Sequence, residues 1–474
     1  MSEQNRPDLC IIGAGSGGLS LAAGAAQLGA RVVLIEKAHM GGDCLNVGCV
    51  PSKALIAAAR RAHIMRTSAP FGIAAVTPTV DPRAVREHVQ SVIAAIAPND
   101  SVERFTGLGV EVIQGTARFK DRRTVVVGDR EITARRFVIA TGSSPAVPPI
   151  PGLDRVPYFT NETIFANQRH LQQLIVIGGG PIGLELAQAH LRLGSAVTVV
   201  EALDAMGKDD PELSAVVLER LRAEGLRILE RTKVEKVERA DQGVRVTVSG
   251  PDGLATLEGS DLLVAAGRKP NISDLDLEAA GVKAEPRGIK VNGGLVTSNR
   301  RIFAIGDVTG GLQFTHVANY HAGIVVRRAL FRLPAKVDND IVPWVTFTDP
   351  ELAHAGLSEA EARKRKIDIG VLRWSLHEND RAQTERATEG LIKVVITKKG
   401  KILGATIVGE HAGELIQMWS LAISQGLDIK AIAQYISPYP TLGEIGKRAA
   451  GTFFLPKLTS PFVRKTVQFL SRFG

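Results

Sequence analysis

A chain of 474 residues is too long for one hydrophobic core and calls for roughly two to four domains, while 45% hydrophobic and 23% charged residues are the proportions of a soluble globular protein. No apolar run reaches the length of about eighteen residues that a membrane span needs, and the opening Met-Ser-Glu-Gln-Asn-Arg-Pro-Asp carries no apolar signal region. A net charge of +9 raises nucleic acid as a partner, but the basic residues are spread along the chain and aromatic content is only 5%; three cysteines argue against a disulfide-stapled secreted scaffold and make the reducing cytoplasm the expected compartment.

Residues 8–12 read as a strand closing on Gly13-Ala14-Gly15-Ser16-Gly17-Gly18. Alanine-rich helical sequence follows to Leu28, then a strand over 31–35 ending at Glu36. Glycines in such a turn let the backbone approach a pyrophosphate at the helix N-terminus, and the acid can bind ribose hydroxyls. Glu36 lies 36 − 18 = 18 residues past the last glycine of the motif. Cys10, inside the first strand, reads as a buried structural thiol.

Residues 41–53, Gly-Gly-Asp-Cys-Leu-Asn-Val-Gly-Cys-Val-Pro-Ser-Lys, hold the other two cysteines, Cys44 and Cys49. A pair this close is a redox disulfide or half of a metal site. No second ligand pair follows, so the pair reads as a redox dithiol and no metal site is expected. In a regular helix residues five apart are separated by about 7.5 Å of rise, too far for a disulfide, so the chain must be irregular between them. Pro51 suits the first turn of a helix starting just after Cys49, and that N-terminus with Lys53 would lower the Cys49 pKa. The stretch resembles the active-site signature of the flavoprotein disulfide reductases, among them dihydrolipoamide dehydrogenase, glutathione reductase and mercuric reductase.

The spacing predicts helices over 53–61 and 81–106, then short strands over 110–139 with turns at Asp121-Arg122 and Gly128-Asp129. The strand closing on Ala140-Thr141-Gly142 resembles the end of the family's first flavin segment, and Pro148, Pro149 and Pro151 punctuate a linker. The first pattern then repeats: a strand over 174–177, Gly178-Gly179-Gly180-Pro181-Ile182-Gly183, a helix over 184–193, and a strand over 196–200 ending at Glu201. Glu201 is 201 − 183 = 18 residues past its last glycine, the same interval as in the first motif. Two dinucleotide sites beside a dithiol fit a protein binding both FAD and a nicotinamide nucleotide. Glu201 would bond a free 2′-hydroxyl and repel a 2′-phosphate, and residues 202–206 offer no arginine, so NAD(H) is expected over NADP(H). Short strands over 226–264 lead to Ala265-Ala266-Gly267-Arg268, and a strand over 302–305 to Gly306-Asp307, both resembling family segments. Phe314-Thr315-His316 opens a helix to about residue 331, and from Val342 the sequence resembles the family's interface domain.

The resemblance, over about residues 8–455, implies an α/β fold with two Rossmann-like dinucleotide-binding domains plus a C-terminal α+β dimerisation domain. Its segments are 1–150 (FAD, with the dithiol), 151–271 (NAD), 272–338 (FAD again), 339–458 (interface, forming a homodimer) and 459–474 (a basic amphipathic tail). Electrons would pass from NADH through FAD to the Cys44–Cys49 disulfide, Cys49 lying beside the flavin and Cys44 facing substrate. Lys53 and Glu185 would pair near the flavin. The expected cofactor-binding set is Gly13, Gly15, Gly18, Glu36, Lys37, Gly42, Thr141, Gly142, Gly178, Gly180, Gly183, Glu201, Gly267, Gly306, Asp307, Thr315 and His316. Two positions depart from many relatives. Pro181 stands where a tyrosine gates the nicotinamide pocket. Tyr439, with Glu444 five residues on, stands where dihydrolipoamide dehydrogenases and glutathione reductases have a histidine acid/base supplied by the partner subunit. Mercuric reductases have a tyrosine there, but also a C-terminal cysteine pair, which this sequence lacks. The acceptor is thus a disulfide, a metal ion or a related species. Mercuric reductase proper and dihydrolipoamide dehydrogenase stand as narrower readings, and a diaphorase or quinone reductase or a redox sensor as readings of another class. The tail, with Val463, Val467 and Leu470 at helical spacing and Arg464, Lys465 and Arg472 around them, reads as a surface or interface helix or one resting on anionic membrane.

Overall fold

The computed structural model describes residues 6–473. The chain divides into two compact units, one running to Ala202 and then Leu229–Val337, the other Leu203–Ile228 with the chain from Asp338.

In the first unit, β1 (Leu9–Ile12) is buried at every position, as an apolar run covered on both faces must be. It leads through the glycine turn into α1 (Ser16–Gln27) and β2 (Val32–Glu36). β2 begins one residue later than the hydropathy suggests, because Arg31 is exposed and its backbone N–H is turned to the Asp8 carboxylate at 3.1 Å. Two helices follow, α2 (Gly42–Asn46) and α3 (Cys49–Arg66). The helix expected over 81–106 is two helices, α4 (Pro82–Ile96) and α5 (Val102–Gly107). Pro98 has no N–H to continue α4, and Ser101 caps α5 by accepting from the Arg104 N–H. After β3 (Glu111–Gln114), an antiparallel meander β4 (Ala117–Asp121), β5 (Thr124–Val127) and β6 (Arg130–Thr133) turns at the two expected places. β7 (Arg136–Ile139) returns beside β1, with Leu9 opposite Arg136 on one side and Val32 on the other.

The second glycine motif repeats this design. After β8 (Ser143–Pro145), β9 (Gln173–Ile177), α6 (Pro181–Arg192) and β10 (Ala196–Val200) form a strand–turn–helix–strand unit, β9 and β10 parallel from Gln173 opposite Ala196 onward. The chain then supplies α7 (Pro211–Ala223) to the second unit. It returns as the meander β11 (Lys233–Ala240), β12 (Gly243–Gly250) and β13 (Gly253–Gly259), followed by β14 (Asp261–Val264), which pairs parallel to β9. β15 (Arg268–Pro270) pairs antiparallel with β8, and β16 (Ile302–Ala304) completes the first parallel sheet in the order β16-β7-β1-β2-β3. α8 (Thr315–Ala329) packs on α1 through Gly17, where an added Cβ would lie 3.2 Å from that of Ala318.

The second unit is an antiparallel sheet of β17 (Trp344–Thr346), β18 (Glu351–Gly356), β19 (Ile369–Ser375), β20 (Leu391–Thr397) and β21 (Ile402–Gly409), in the order β17-β18-β21-β20-β19. α9 (Glu359–Lys364) and α10 (Asp380–Glu385) lie in its connections, and α11 (Ala412–Ser424) sets Trp419, 1% exposed, into its core. α12 (Ile429–Gln434), α13 (Glu444–Thr452) and α14 (Pro461–Leu470) follow. Residues 203–228 group here rather than with the rest of 151–271, joined to the sheet by the buried apolar side of α7 and by an ion cluster. Lys393 of β20, 6% exposed at its side chain, holds Asp210 at 2.7 Å, Glu359 at 2.9 Å and Glu212 at 3.0 Å.

Candidate active site

The two glycine turns match position by position. Gly13 and Gly178 open them at φ +106 and +117, and a Cβ on either would sit 2.4 Å from a carbonyl oxygen, of Ala140 or Ala265. Gly18 and Gly183 close them, where a Cβ would lie 1.9 and 2.0 Å from the carbonyl of each motif's own first glycine. The middle glycines are open: a Cβ on Gly15 meets only Gly42 Cα at 3.9 Å, and on Gly180 nothing within 4 Å. The backbone is thus bare where a pyrophosphate must approach the start of α1 or α6, which is the fit the two nucleotides require. Both acids reach back to their own loop across 22 residues, Glu36 accepting from the Ala14 N–H at 2.6 Å and Glu201 from the Gly179 N–H at 2.7 Å.

α2 ends at Asn46, whose side-chain amide donates to the carbonyls of Gly42 and Met40. The break that follows lets α3 start at Cys49 itself, one residue earlier than expected, and returns the chain so that the two thiols meet. Both are free thiols. Cys44 is pushed up by its hydrogen bond to Cys49, by burial and by the neighbouring charge. Cys49 is pushed down to about 6, chiefly by the bond from Cys44, against burial and with help from the Thr315 hydroxyl and the Lys53 ammonium. Thr315 Oγ1, at the first turn of α8, lies 3.5 Å from Cys49 Sγ.

One turn along α3, Lys53 Nζ donates to Glu185 Oε2 of α6 at 2.8 Å, the carboxylate side chain 7% exposed. This ion pair ties the redox helix to the second glycine motif. A second tie was not foreseen. Arg268, 12% exposed at its side chain, reaches Asp43 at 3.1 Å beside Cys44 and donates to the Ser143 hydroxyl at 2.7 Å. Ser143 donates to Asp307 at 2.6 Å, and burial pushes Asp307 up. Asn161 also donates to Asp43 and to the Val47 carbonyl. The sequence shows an acid, Asp43, beside Cys44, but carries no local signal for its distant partner.

The remaining expected residues fall around these loops. Gly42 packs on Gly15, its added Cβ 2.7 Å from the Gly15 Cα. Thr141 donates to the Asn271 carbonyl at 2.7 Å, and the Gly142 carbonyl accepts from the Asn271 N–H. The Gly267 carbonyl accepts from Ala146, and the Gly306 N–H donates to buried His321 Nδ1 at 3.1 Å, His321 being lowered to about 4 by burial. His316 is exposed and stacks on Phe314. Lys37 is exposed, with Asp274 at 4.0 Å. Tyr439 and Glu444 belong to the second unit. Tyr439, 69% exposed, donates its hydroxyl to Asp380 at 2.9 Å, which holds its pKa above the ordinary value, and Glu444 starts α13. Among the described residues no cluster of three or more His, Cys, Asp or Glu could hold a metal ion, and no helix is long and apolar enough to cross a membrane.

Two nucleotide turns of one design, with a thiol pair between them, define a flavin- and nicotinamide-dependent dithiol enzyme. The chain belongs to the pyridine nucleotide-disulphide oxidoreductases, whose family model matches residues 7–322 and whose dimerisation-domain model matches residues 342–450. It is an FAD-dependent oxidoreductase that works with NAD(P)H and forms a homodimer through that domain. A mercuric reductase of Lysinibacillus sphaericus is 37% identical over 449 residues, 94% of this chain and 82% of that one. A dihydrolipoyl dehydrogenase of Geobacillus stearothermophilus is 37% identical over 93% of this chain and 94% of its own. Among solved structures, the Cu(II) complex of the HOCl-induced flavoprotein disulfide reductase RclA of Escherichia coli matches at TM-score 0.84 and 28% identity, over 94% of this chain and 99% of that one.

Proposed function

We propose that the enzyme oxidises NADH and passes the electrons, through the Cys44–Cys49 pair, to a thiophilic metal ion. Bound FAD supplies the two-electron step between the nicotinamide and the disulfide. Gly15 leaves room for its pyrophosphate in the turn that Gly13 and Gly18 make possible and Glu36 stands ready for its ribose, while Gly180, in the turn of Gly178 and Gly183, and Glu201 do the same for NAD(H). The observation that carries the reading is the thiol pair itself, with Cys49 lowered to about 6. A thiol with that pKa is a thiolate at neutral pH, fit to stand as the inner sulfur, while Cys44 holds its proton and faces the acceptor. NADH reduces the disulfide to the Cys44 thiol and the Cys49 thiolate, releasing NAD⁺. The reduced pair then gives two electrons, to one Hg(II) or to two Cu(II), re-forming the disulfide and releasing the Cys44 proton.

Tyr439 favours an ion over a disulfide acceptor. Reducing a disulfide needs a group that delivers protons to the leaving thiolates, and a tyrosine held above its ordinary pKa by Asp380 is poorly matched to that near neutral pH. A metal ion released from two sulfurs needs no such acid. A relative named for mercuric ion and another seen with Cu(II) accord with this. A reducing compartment such as the cytoplasm suits a dithiol that must be regenerated. The test is NADH oxidation against Hg(II), Cu(II), lipoamide, glutathione disulfide and quinones, in the wild type and Cys44→Ser. Metal-dependent turnover that Cys44→Ser abolishes is expected. Faster turnover of lipoamide or glutathione disulfide would replace the metal reading, and quinone turnover indifferent to Cys44→Ser would make the enzyme a diaphorase.

A further inference from the structure

We propose that α14, with the turn after it, is an anchor that lays the enzyme on an anionic lipid surface. The helix buries no residue. At about 100° per residue its Phe462, Val463, Val467, Phe469 and Leu470 fall within an arc of about 160°, and Arg464, Lys465 and Gln468 occupy the opposite side. Phe462 is 79% exposed, Val467 59% and Leu470 58%; Phe473, in the following turn, is 73% exposed. A helix with an aromatic-rich apolar face this open lacks what a packed surface helix has, a core beneath it.

Charge decides the occupant. Beyond residue 450 the sequence has no acidic side chain, while Lys457, Arg464, Lys465 and Arg472 are cationic. Four cations and no acidic side chain repel an identical copy and attract a negatively charged headgroup layer, where each basic residue near the surface adds to binding. The segment also lies beyond residues 342–450, the part matched by the dimerisation-domain model.

Full-length holoenzyme would be sedimented with phosphatidylcholine vesicles and with vesicles holding about one-third phosphatidylglycerol, at low and high salt. Three variants would run beside it: a chain ending at Ser460, the double substitution Phe462→Ser/Phe469→Ser, and Arg464→Gln/Lys465→Gln. The full chain is expected to bind the anionic vesicles at least about tenfold better than the neutral ones, with salt reversing it. All three variants should lose most of that binding, with NADH oxidation by a soluble acceptor unchanged. Vesicle binding equal in the full and truncated chains would overturn the proposal. So would a truncated chain that is monomeric where the full chain is dimeric, because the apolar face would then belong to a second copy.

Discussion

Cys49 sits where three independent features converge, the Cys44 thiol, the Thr315 hydroxyl and the Lys53 ammonium. Because the bond from Cys44 is the largest cause of its lowered pKa, the reduced enzyme should show thiolate ultraviolet absorbance appearing as pH rises through about 6. In Cys44→Ala the midpoint should move up toward the ordinary 9.0, and an unmoved midpoint would mean that the helix and Lys53 suffice. The Lys53–Glu185 pair makes an ordered prediction. Lys53→Met leaves a 7%-exposed carboxylate without this ammonium and should cost about 2 kcal/mol in urea unfolding. Glu185→Gln leaves a lysine that is 36% exposed and can rehydrate, so it should cost less; the reverse order would contradict the burial argument. Lys53 and Glu185 were legible because each sits inside a recognisable stretch. Arg268 with Asp43 was not, since nothing local says that an arginine 225 residues on, 268 − 43, will meet the loop beside Cys44.

The glycine turns make the sharpest prediction about elements, because the three positions of each carry different constraints. Gly13→Ala and Gly178→Ala drive a Cβ to 2.4 Å from a backbone oxygen at positive φ and should prevent stable folding. Gly180→Ala meets nothing within 4 Å, so its melting temperature should stay within about 2 °C of wild type while KM for NADH rises about tenfold. A comparable rise with a large loss of stability would place Gly180 in packing instead. The buried Lys393 cluster governs acid stability. Glu212 is lowered to about 2, first by the Arg373 hydrogen bond and then, against burial, by Lys393; Glu359 is lowered first by Lys393. Their contribution is therefore complete above the ordinary 4.5 and drains away as pH falls toward 2. Lys393→Met should lower stability at neutral pH and flatten its decline over that acid window, measured by urea unfolding at stepped pH. The strands and helices of the two glycine motifs were readable from hydropathy to within about three residues, whereas α2, α7, α9, α10, α12 and α13 were not placed. The helix over 81–106 was not readable as two, because Pro98 and Ser101 break it while its apolar spacing runs on.

For the whole molecule, the dimerisation domain makes the homodimer the working unit. The family resemblance puts Tyr439 and Glu444 at the partner's thiols, and hybrid dimers test this. Co-expressed Cys44→Ser and Tyr439→Phe chains, separated by two different affinity tags, should yield a heterodimer with one fully restored site if Tyr439 acts across the interface. If it acts within its own chain, the heterodimer keeps the Tyr439→Phe defect at the one site with intact cysteines.

By itself the sequence determined the class of chemistry. Two glycine turns, each followed at the same interval by an acid, and a close thiol pair with Asn46 and Gly48 between its members are local patterns whose meaning lies in backbone sterics and short-range spacing. Tertiary structure alone decided what those patterns are joined to. The hold of the Cys44 thiol on Cys49, the Arg268–Asp43 tie, the grouping of residues 203–228 with the second unit and the absence of a core beneath α14 all depend on which distant groups come within a few ångströms. Electrostatic and burial energies act through space, and chain spacing does not encode that proximity.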